Sequence, residues 1–306
     1  MDLSVTIRGK TLPNPVGIAS GVFGYAKEFE LITPFTILGA IYTKAITPKP
    51  KSGNPAPRLA ETRWGMLNSI GLANVGLEAF KTQKLPFLKS LGVPIVVNVA
   101  GGVEEDYAQV IEGLESEEGI WGYEINVSCP NVKHGGQTFG AQPGVLNDLI
   151  RLLRPLSHRP MIVKLSPNTA DIAQLGVAAV EAGADALSAI NTLKGMVIDI
   201  HKKRPKVRRG VAGFSGPAIL PVGVAAVFTL ARAVSVPIIG LGGISSWQDA
   251  VQYLLAGASA IQIGSALFRD SLLPQSVLVG IQEYAAQHGF NTVRDFAQAL
   301  CWEGGL

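Results

Sequence analysis

Eight short apolar runs, separated by amphipathic helical patterns, constrain the fold of this chain more than any other feature. Most of the runs are near-continuous rather than alternating, which is typical of parallel strands buried on both faces. The predicted strands are Val16–Ser20, Ala40–Ala45, Pro94–Ala100, Gly122–Ser128, Met161–Ser166, Ala186–Thr192, Pro237–Gly243 and Ala260–Ser265. The helices predicted between them are Glu105–Leu114, Val145–Leu153, Asp171–Ala182, Val222–Ala233 and Trp247–Ala256.

Eight strand–helix units in 306 residues favour an α/β fold, a closed (β/α)8 TIM barrel. An open, doubly wound sheet is the alternative, because sequence alone does not show closure. Similar Ala-Gly-Ala turns at 182–184 and 256–258 indicate one repeated architecture, so residues 1–306 are predicted to form a single domain. Long connections, 47–72 and 193–216, follow strands 2 and 6. In a barrel, loops at this end of the strands build the active face.

The composition excludes several classes of protein. Hydrophobic residues make up 47% and charged residues 16%, which supports a large core and excludes disorder. A formal charge of +3 is too small to indicate nucleic-acid binding. The two cysteines cannot supply the four thiolates of an iron–sulfur cluster, and they suit a reducing cytoplasm. No membrane span is expected, because no apolar run reaches about 18 residues. No signal peptide is expected either, because residues 1–8 show no basic region followed by an apolar run.

A strand-to-loop switch at residues 123–136 carries an unusual set of polar groups. Asn126, Ser128, Cys129 and Asn131 follow one another where the apolar run ends. A lone cysteine is most simply a small buried hydrophobe. At this switch, however, a thiol could act as nucleophile or general base once its pKa is lowered. His134 is close in sequence, but the four histidines are scattered without metal-ligand spacing.

Five predicted strands each carry a polar residue near the carboxyl end, namely Lys44, Asn98, Asn126, Lys164 and Asn191. Taken singly, each is most simply a solvated strand end. Five of them on buried strands make that interpretation poor, and a barrel would bring them together at the top of its interior. Amides both donate and accept, which suits a flat heterocycle with N–H and C=O edges. The lysines supply positive charge for a carboxylate or an electron-rich ring.

Glycines mark the carboxyl ends of the last two predicted strands. Gly242-Gly243 ends the seventh strand and Gly264-Ser265 ends the eighth. Backbone N–H groups at these two positions of a barrel commonly bind phosphate, so a phosphate site is predicted. Tight turns without a ligand are the alternative. The basic segment Lys202–Arg209 is either a solvated face or a surface that docks a partner or steers substrate.

These motifs together resemble the dihydroorotate dehydrogenase family, whose members are FMN-containing barrels of pyrimidine biosynthesis. The resemblance covers nearly the whole chain. It rests on residues 19–21, 43–44, 54–58, 65–72, 126–131, 164–167, 191–192, 215–217, 242–244 and 264–265. The resemblance implies oxidation of dihydroorotate to orotate, with Cys129 removing the C5 proton while a hydride passes from C6 to the flavin. The loop from Pro130 to Gly140 would then close over the site as a lid.

The resemblance also implies a role for each matching residue. The substrate would be held by Lys44, Asn68, Ser69, Ile70, Gly71, Leu72, Asn126, Asn191 and Thr192. FMN would be held by Ser20, Lys44, Ala45, Asn98, Asn126, Lys164, Ile190 and Gly216, and its phosphate by Gly242, Gly243, Gly264 and Ser265. A lysine beside the flavin stabilises the negative charge of the reduced ring.

Residues 133–136 and 139–140 look like the NAD-linked class of the family. That class implies a partner subunit carrying FAD and a 2Fe–2S cluster, and a heterotetramer built on a homodimer of this chain. A fumarate-linked enzyme is an alternative with the same chemistry. From other classes, a phosphate-binding lyase or isomerase could use Lys164 as a Schiff base. A non-catalytic binding barrel is a further alternative, but it leaves Cys129 without an explanation.

Overall fold

A computed structural model describes residues 1–128 and 139–302 of the chain. Cys129 and residues 130–138 of the expected lid therefore lie outside the described residues. The strands are β1 (Val5–Ile7), β2 (Lys10–Leu12), β3 (Val16–Ile18), β4 (Ala40–Tyr42), β5 (Leu59–Thr62), β6 (Gly65–Asn68), β7 (Ile95–Val99), β8 (Ile120–Asn126), β9 (Met161–Leu165), β10 (Ala186–Ala189), β11 (Leu193–Gly195), β12 (Ile198–Asp199), β13 (Arg204–Pro205), β14 (Ala212–Ser215), β15 (Ile238–Leu241) and β16 (Ala260–Ile263). The α-helices are α1 (Leu77–Ala79), α2 (Leu85–Ser90), α3 (Glu104–Glu115), α4 (Pro143–Leu153), α5 (Ile172–Glu181), α6 (Leu220–Ala233), α7 (Trp247–Leu255), α8 (Leu273–His288) and α9 (Val293–Ala299).

Eight parallel strands close into a barrel in the order β3, β4, β7, β8, β9, β10, β15 and β16. The last strand returns to the first, with Ile261 opposite Val16 and Ile263 opposite Ile18. The predicted (β/α)8 barrel is therefore confirmed, and the open sheet is wrong. All eight predicted strands are present, but most are shorter at the carboxyl end. For example, β10 ends at Ala189, although the backbone N–H groups of Ile190 and Asn191 still donate to Leu241 and Leu165 of the neighbouring strands.

The apolar pattern of the sequence accounts for the barrel and its outer helices. All five residues of β7 are buried, as expected for a strand covered on both faces. Helix α4 buries Leu146, Leu149, Ile150 and Leu153, which lie on one stripe of a helix. The five predicted helices correspond to α3–α7 within two residues at each end.

The two long loops after β4 and β10 form one structure. Strand β6 of the first loop pairs antiparallel with β14 of the second, with Leu67 opposite Phe214. The result is a four-stranded sheet in the order β11, β14, β6, β5. Leu67, Val207 and Ala212 form a small hydrophobic cluster under it. The sequence located both insertions. It did not indicate that they pair, because the pairing joins residues about 145 positions apart.

Further elements lie outside the eight units. The hairpin of β1 and β2 precedes the first barrel strand, and α9 follows α8, the helix of the eighth unit. Helix α8 packs beside α7, where Gly280 lies close to the Trp247 side chain. Within residues 1–128 and 139–302, the helices are too short or too polar to cross a bilayer.

Candidate active site

A cavity of about 390 Å³ opens at the carboxyl ends of the barrel strands. The sheet made by the two long loops forms one of its walls, through side chains such as Met66 and Asn68. The cavity is lined by these residues that the sequence had singled out: Ser20, Lys44, Ala45, Asn68, Ile70, Leu72, Asn98, Asn126, Lys164, Ile190, Asn191, Thr192, Gly216, Gly242, Gly243, Gly264 and Ser265. The fold therefore gathers into one cavity residues that span most of the chain.

Ser69 and Gly71 were expected at the site, but neither lines the cavity. The Ser69 hydroxyl accepts a hydrogen bond from Asn54 Nδ2 at 2.8 Å, and the Ser69 backbone N–H donates to Arg58 O. Gly71 has φ +70°, and a side chain there would collide with Asn54. These two residues shape the turn that presents Ile70 and Leu72. The basic segment Lys202–Arg209 does not line the cavity either.

One wall of the cavity is a chain of hydrogen bonds among polar residues at the ends of β8 and β10. Ser128 Oγ donates to Asn126 Oδ1 at 2.8 Å, and Asn191 Nδ2 hydrogen-bonds Ser128 Oγ. Tyr107 of α3 donates its hydroxyl to the backbone oxygen of Asn126 at 2.9 Å. These contacts fix the side chains of Asn126 and Ser128 and the backbone carbonyl group of Asn126. The expected catalytic residue Cys129 is the next residue, outside the described part of the chain.

Lys44 brings a half-buried positive charge to the same cavity. Burial lowers the pKa of Lys44, the Arg58 guanidinium lowers it further, and the Glu28 carboxylate partly opposes both. A cation that has lost water and has another cation near it gains most from an anionic partner. Lys44 is therefore suited to bind a ligand carboxylate or an electron-rich ring.

The floor of the cavity carries a second lysine above a buried carboxylate. Lys164 Nζ lies 3.2 Å from Ser20 Oγ and 3.6 Å from Glu124 Oε2. Glu124 is fully buried and accepts hydrogen bonds from Asn98, Ser188 and Gln262. Sequence reasoning missed Glu124 and Gln262. The signal that could have found them is a charged or polar residue inside an otherwise apolar barrel strand.

The two glycine turns leave room for a ligand at the far end of the cavity. Gly243 has φ +77°, and a Cβ there would lie 2.6 Å from the backbone nitrogen of Leu220. A Cβ on Gly264 would meet only Ala19 Cβ, at an ordinary van der Waals distance of 3.8 Å. Tyr253 of α7 donates to the backbone oxygen of Gly242 at 2.7 Å and holds this turn. Backbone N–H groups in glycine turns at the carboxyl ends of β15 and β16 suit a phosphate group.

Two buried oxygens on the floor are unsatisfied within the part of the chain that the structure describes. Asn98 Oδ1 and Gln262 Oε1 have no hydrogen-bond partner, and both residues line the cavity. Buried acceptors of this kind are expected to meet donors from a ligand. Together with Lys164 and the glycine turns, they fit a planar ring that has N–H and carbonyl groups and is linked to a phosphate.

Comparisons with known proteins agree with this geometry. The family model described as dihydroorotate dehydrogenase matches residues 2–284. The chain is 48% identical to the dihydroorotate dehydrogenase B (NAD(+)) catalytic subunit of Geotalea daltonii, covering 98% of each chain. It is 46% identical to the protein of the same name from Geotalea uraniireducens, again over 98% of each. The crystal structure of DHODH from Eimeria tenella in complex with ferulenol has a TM-score of 0.78 at 22% identity, covering 97% of this chain and 88% of that one. The last comparison supports the fold.

Proposed function

Because the chain belongs to the dihydroorotate dehydrogenase family, we propose that it oxidises dihydroorotate to orotate in pyrimidine biosynthesis, with FMN as its cofactor. The observation that carries the proposal is the single cavity that collects Lys44, Asn126, Lys164 and Asn191 beside the glycine turns. It offers one end for a phosphate, a floor for a ring with N–H and carbonyl groups, and a mouth for a small anionic substrate.

FMN fits the residues of the floor. Asn98 Oδ1 and Gln262 Oε1 offer acceptors to a ring N–H, and Lys164 offers a cation to the ring carbonyl side. Gly242, Gly243, Gly264 and Ser265 would hold the phosphate, while Ser20, Ala45, Ile190 and Gly216 line the same cavity. When bound, FMN supplies a two-electron acceptor for the hydride that leaves C6 of the substrate. A positive Lys164 stabilises the negative charge that the reduced ring carries.

The substrate would lie against the polar wall. Dihydroorotate carries a carboxylate and ring amides, so it needs a cation together with groups that both donate and accept. Lys44 supplies the cation, and Asn68, Asn126, Asn191 and Thr192 supply polar groups around it. The turn that carries Ile70 and Leu72 closes the side of the pocket, supported from behind by Ser69 and Asn54.

Cys129 is proposed as the base that takes the C5 proton. In the sequence it directly follows Ser128, whose side chain is held by Asn126 and Asn191. A thiolate is suited to this step because its pKa can be brought near neutral pH. Residues 130–140 would close over the bound substrate and exclude water while the proton moves.

The electron acceptor is proposed to be NAD⁺, reached through a second subunit. The curated relatives are named as NAD(+)-linked catalytic subunits, and a catalytic subunit implies another subunit. The proposed partner carries FAD and a 2Fe–2S cluster, in a heterotetramer around a homodimer of this chain, located in the cytoplasm. A fumarate-linked enzyme is the alternative, and it would reduce fumarate rapidly without any partner.

The test is the visible absorption spectrum of the purified chain before and after anaerobic addition of dihydroorotate. We expect a flavin spectrum that bleaches on addition and orotate that forms in equal amount to the flavin. Flavin that stays oxidised would contradict dihydroorotate as the substrate. A protein that stays colourless after incubation with FMN would contradict the cofactor, and with it the proposed function.

A further inference from the structure

Glu124 is a fully buried carboxylate beneath the candidate active site, and the proposed reaction assigns it no role. It lies on β8 two residues before Asn126, so both side chains point to the barrel interior. Its oxygens accept hydrogen bonds from three other barrel strands, at 2.6 Å from Asn98 Nδ2, 2.9 Å from Ser188 Oγ and 2.8 Å from Gln262 Nε2. A buried carboxylate is stable only with such partners, so the cluster is a built feature of the barrel.

The carboxylate decides which way the two amides face. An ionised carboxylate can only accept, so Asn98 and Gln262 must turn their NH₂ groups toward Glu124. Their carbonyl oxygens then point elsewhere, and these are the two buried oxygens without a partner noted above. Glu124 therefore makes both amide groups present acceptors at the floor of the cavity. With a neutral residue in its place, the same two amide groups could equally turn and present donors.

The same carboxylate also holds the lysine of the floor. Lys164 Nζ is 3.6 Å from Glu124 Oε2, and both side chains are almost completely buried. The negative charge also acts across the barrel interior on β4, since burial and then the Glu124 charge raise the pKa of Tyr42. In this desolvated setting, Glu124 offsets part of the positive charge that Lys164 presents to the cavity.

We propose that Glu124 is a positioning residue that sets the hydrogen-bonding pattern of the cavity floor and moderates the charge of Lys164 toward the flavin. The inference rests on the proposed function, because it takes FMN as the ring on that floor. Glu124 does not itself line the cavity; it acts through Asn98, Gln262 and Lys164. A negative charge at this place disfavours the negatively charged reduced ring, so Glu124 lowers the midpoint potential of bound FMN.

The test is Glu124→Gln, which keeps the shape and removes the charge. A glutamine presents an NH₂ group where two NH₂ groups already converge, so at least one amide must turn and the floor loses an acceptor. We expect the dissociation constant of oxidised FMN to rise at least tenfold. We also expect the midpoint potential to become more positive, and each tenfold change in the relative affinity for the two redox forms equals about 30 mV for a two-electron couple.

Glu115→Gln is the matched control. Glu115 also sits in a hydrogen-bonded cluster, with Tyr123, Ser157 and His158, but it does not line or underlie the cavity. The control is expected to leave both the FMN affinity and the potential unchanged, whatever it does to the melting temperature. A merely structural role for Glu124 would change the melting temperature without the positive shift in potential.

The outcomes separate this inference from the proposed function. A folded Glu124→Gln protein with wild-type FMN affinity and potential overturns the inference while the flavin assignment stands. Wild-type protein that binds no FMN overturns the proposed function itself. If Glu124→Gln does not fold, Ser188→Ala keeps the charge and removes one donor to it. That variant is expected to shift the potential in the negative direction, and an unchanged potential there also overturns the inference.

Discussion

Gly243→Ala tests whether the turn after β15 has the shape that a phosphate site needs. Gly243 has φ +77°, a conformation that costs an alanine about 1–2 kcal/mol. The new Cβ would also lie 2.6 Å from the backbone nitrogen of Leu220, which cannot rotate away as a side chain could. Overpacking of this kind costs about 1–3 kcal/mol. Alanine also makes the unfolded chain stiffer, which offsets roughly 0.4–1 kcal/mol of these costs. We therefore expect the free energy of unfolding to fall by about 2–4 kcal/mol.

Gly289→Ala is the matched control for this prediction. Gly289 ends α8 with φ +71°, close to the φ of Gly243, but a Cβ there meets no atom within 4 Å. It should therefore show only the conformational cost, about 1 kcal/mol. For a domain of this size, 1 kcal/mol corresponds to about 2 °C in melting temperature, so we expect shifts of about 4–8 °C for Gly243→Ala and about 2 °C for the control.

The assay is thermal unfolding with and without FMN. A ligand that binds only the folded state raises stability according to its concentration and affinity, so a damaged phosphate turn should reduce the shift produced by FMN. The control should keep the full FMN shift. Equal destabilisation of the two variants would refute the predicted collision with Leu220. An unchanged FMN shift in Gly243→Ala would refute the role of this turn in phosphate binding.

Three further predictions concern charged and reactive side chains. Lys164→Met should lower the free energy of unfolding in urea by about 3–5 kcal/mol, because it leaves the Glu124 carboxylate buried without its cation. Adding Glu124→Gln should recover part of this loss. Additive losses in the double variant would contradict the pairing. Cys129→Ser should form orotate more slowly at neutral pH and regain activity at alkaline pH, because a hydroxyl is harder to deprotonate than a thiol. Cys301→Ser, which changes an exposed thiol, should match wild type. Identical pH–rate profiles for Cys129→Ser and wild type would exclude Cys129 as the base. Burial lowers the pKa of Lys44, so its charge is lost at a lower pH than that of a free lysine. Orotate affinity, measured by fluorescence titration, should therefore fall at alkaline pH in wild type but not in Lys44→Met. Parallel curves of affinity against pH for the two proteins would refute this role.

The barrel was predictable because its signal is local. Each strand is a run of apolar residues, and each helix has an apolar stripe of its own, as β7 and α4 show. The polar residues at the strand ends could be placed in one cavity because parallel strands all end on the same face of a barrel. Lys44, Asn98, Asn126, Lys164 and Asn191 do line that cavity.

Side-chain direction within turns was not predictable from the motifs. Residues 69–72 form one continuous motif, yet Ile70 and Leu72 line the cavity while Ser69 and Gly71 do not. The reason is Asn54, which lies 15 residues before Ser69 and donates hydrogen bonds to Ser69 and Ile70 that turn this segment. A motif places a group of residues at a site, but the partners behind it select which side chains face inward.

The sequence by itself determined the barrel class, the positions of the strands and of the two insertions, and the residue types available at the strand ends. These follow from periodicity and composition, which act over a few residues. Only the tertiary structure decided that the two insertions pair through Leu67 and Phe214, and that Glu124 lies beneath Lys164. Both depend on contacts between residues far apart in the chain, because register and burial are set by closure of the barrel as a whole.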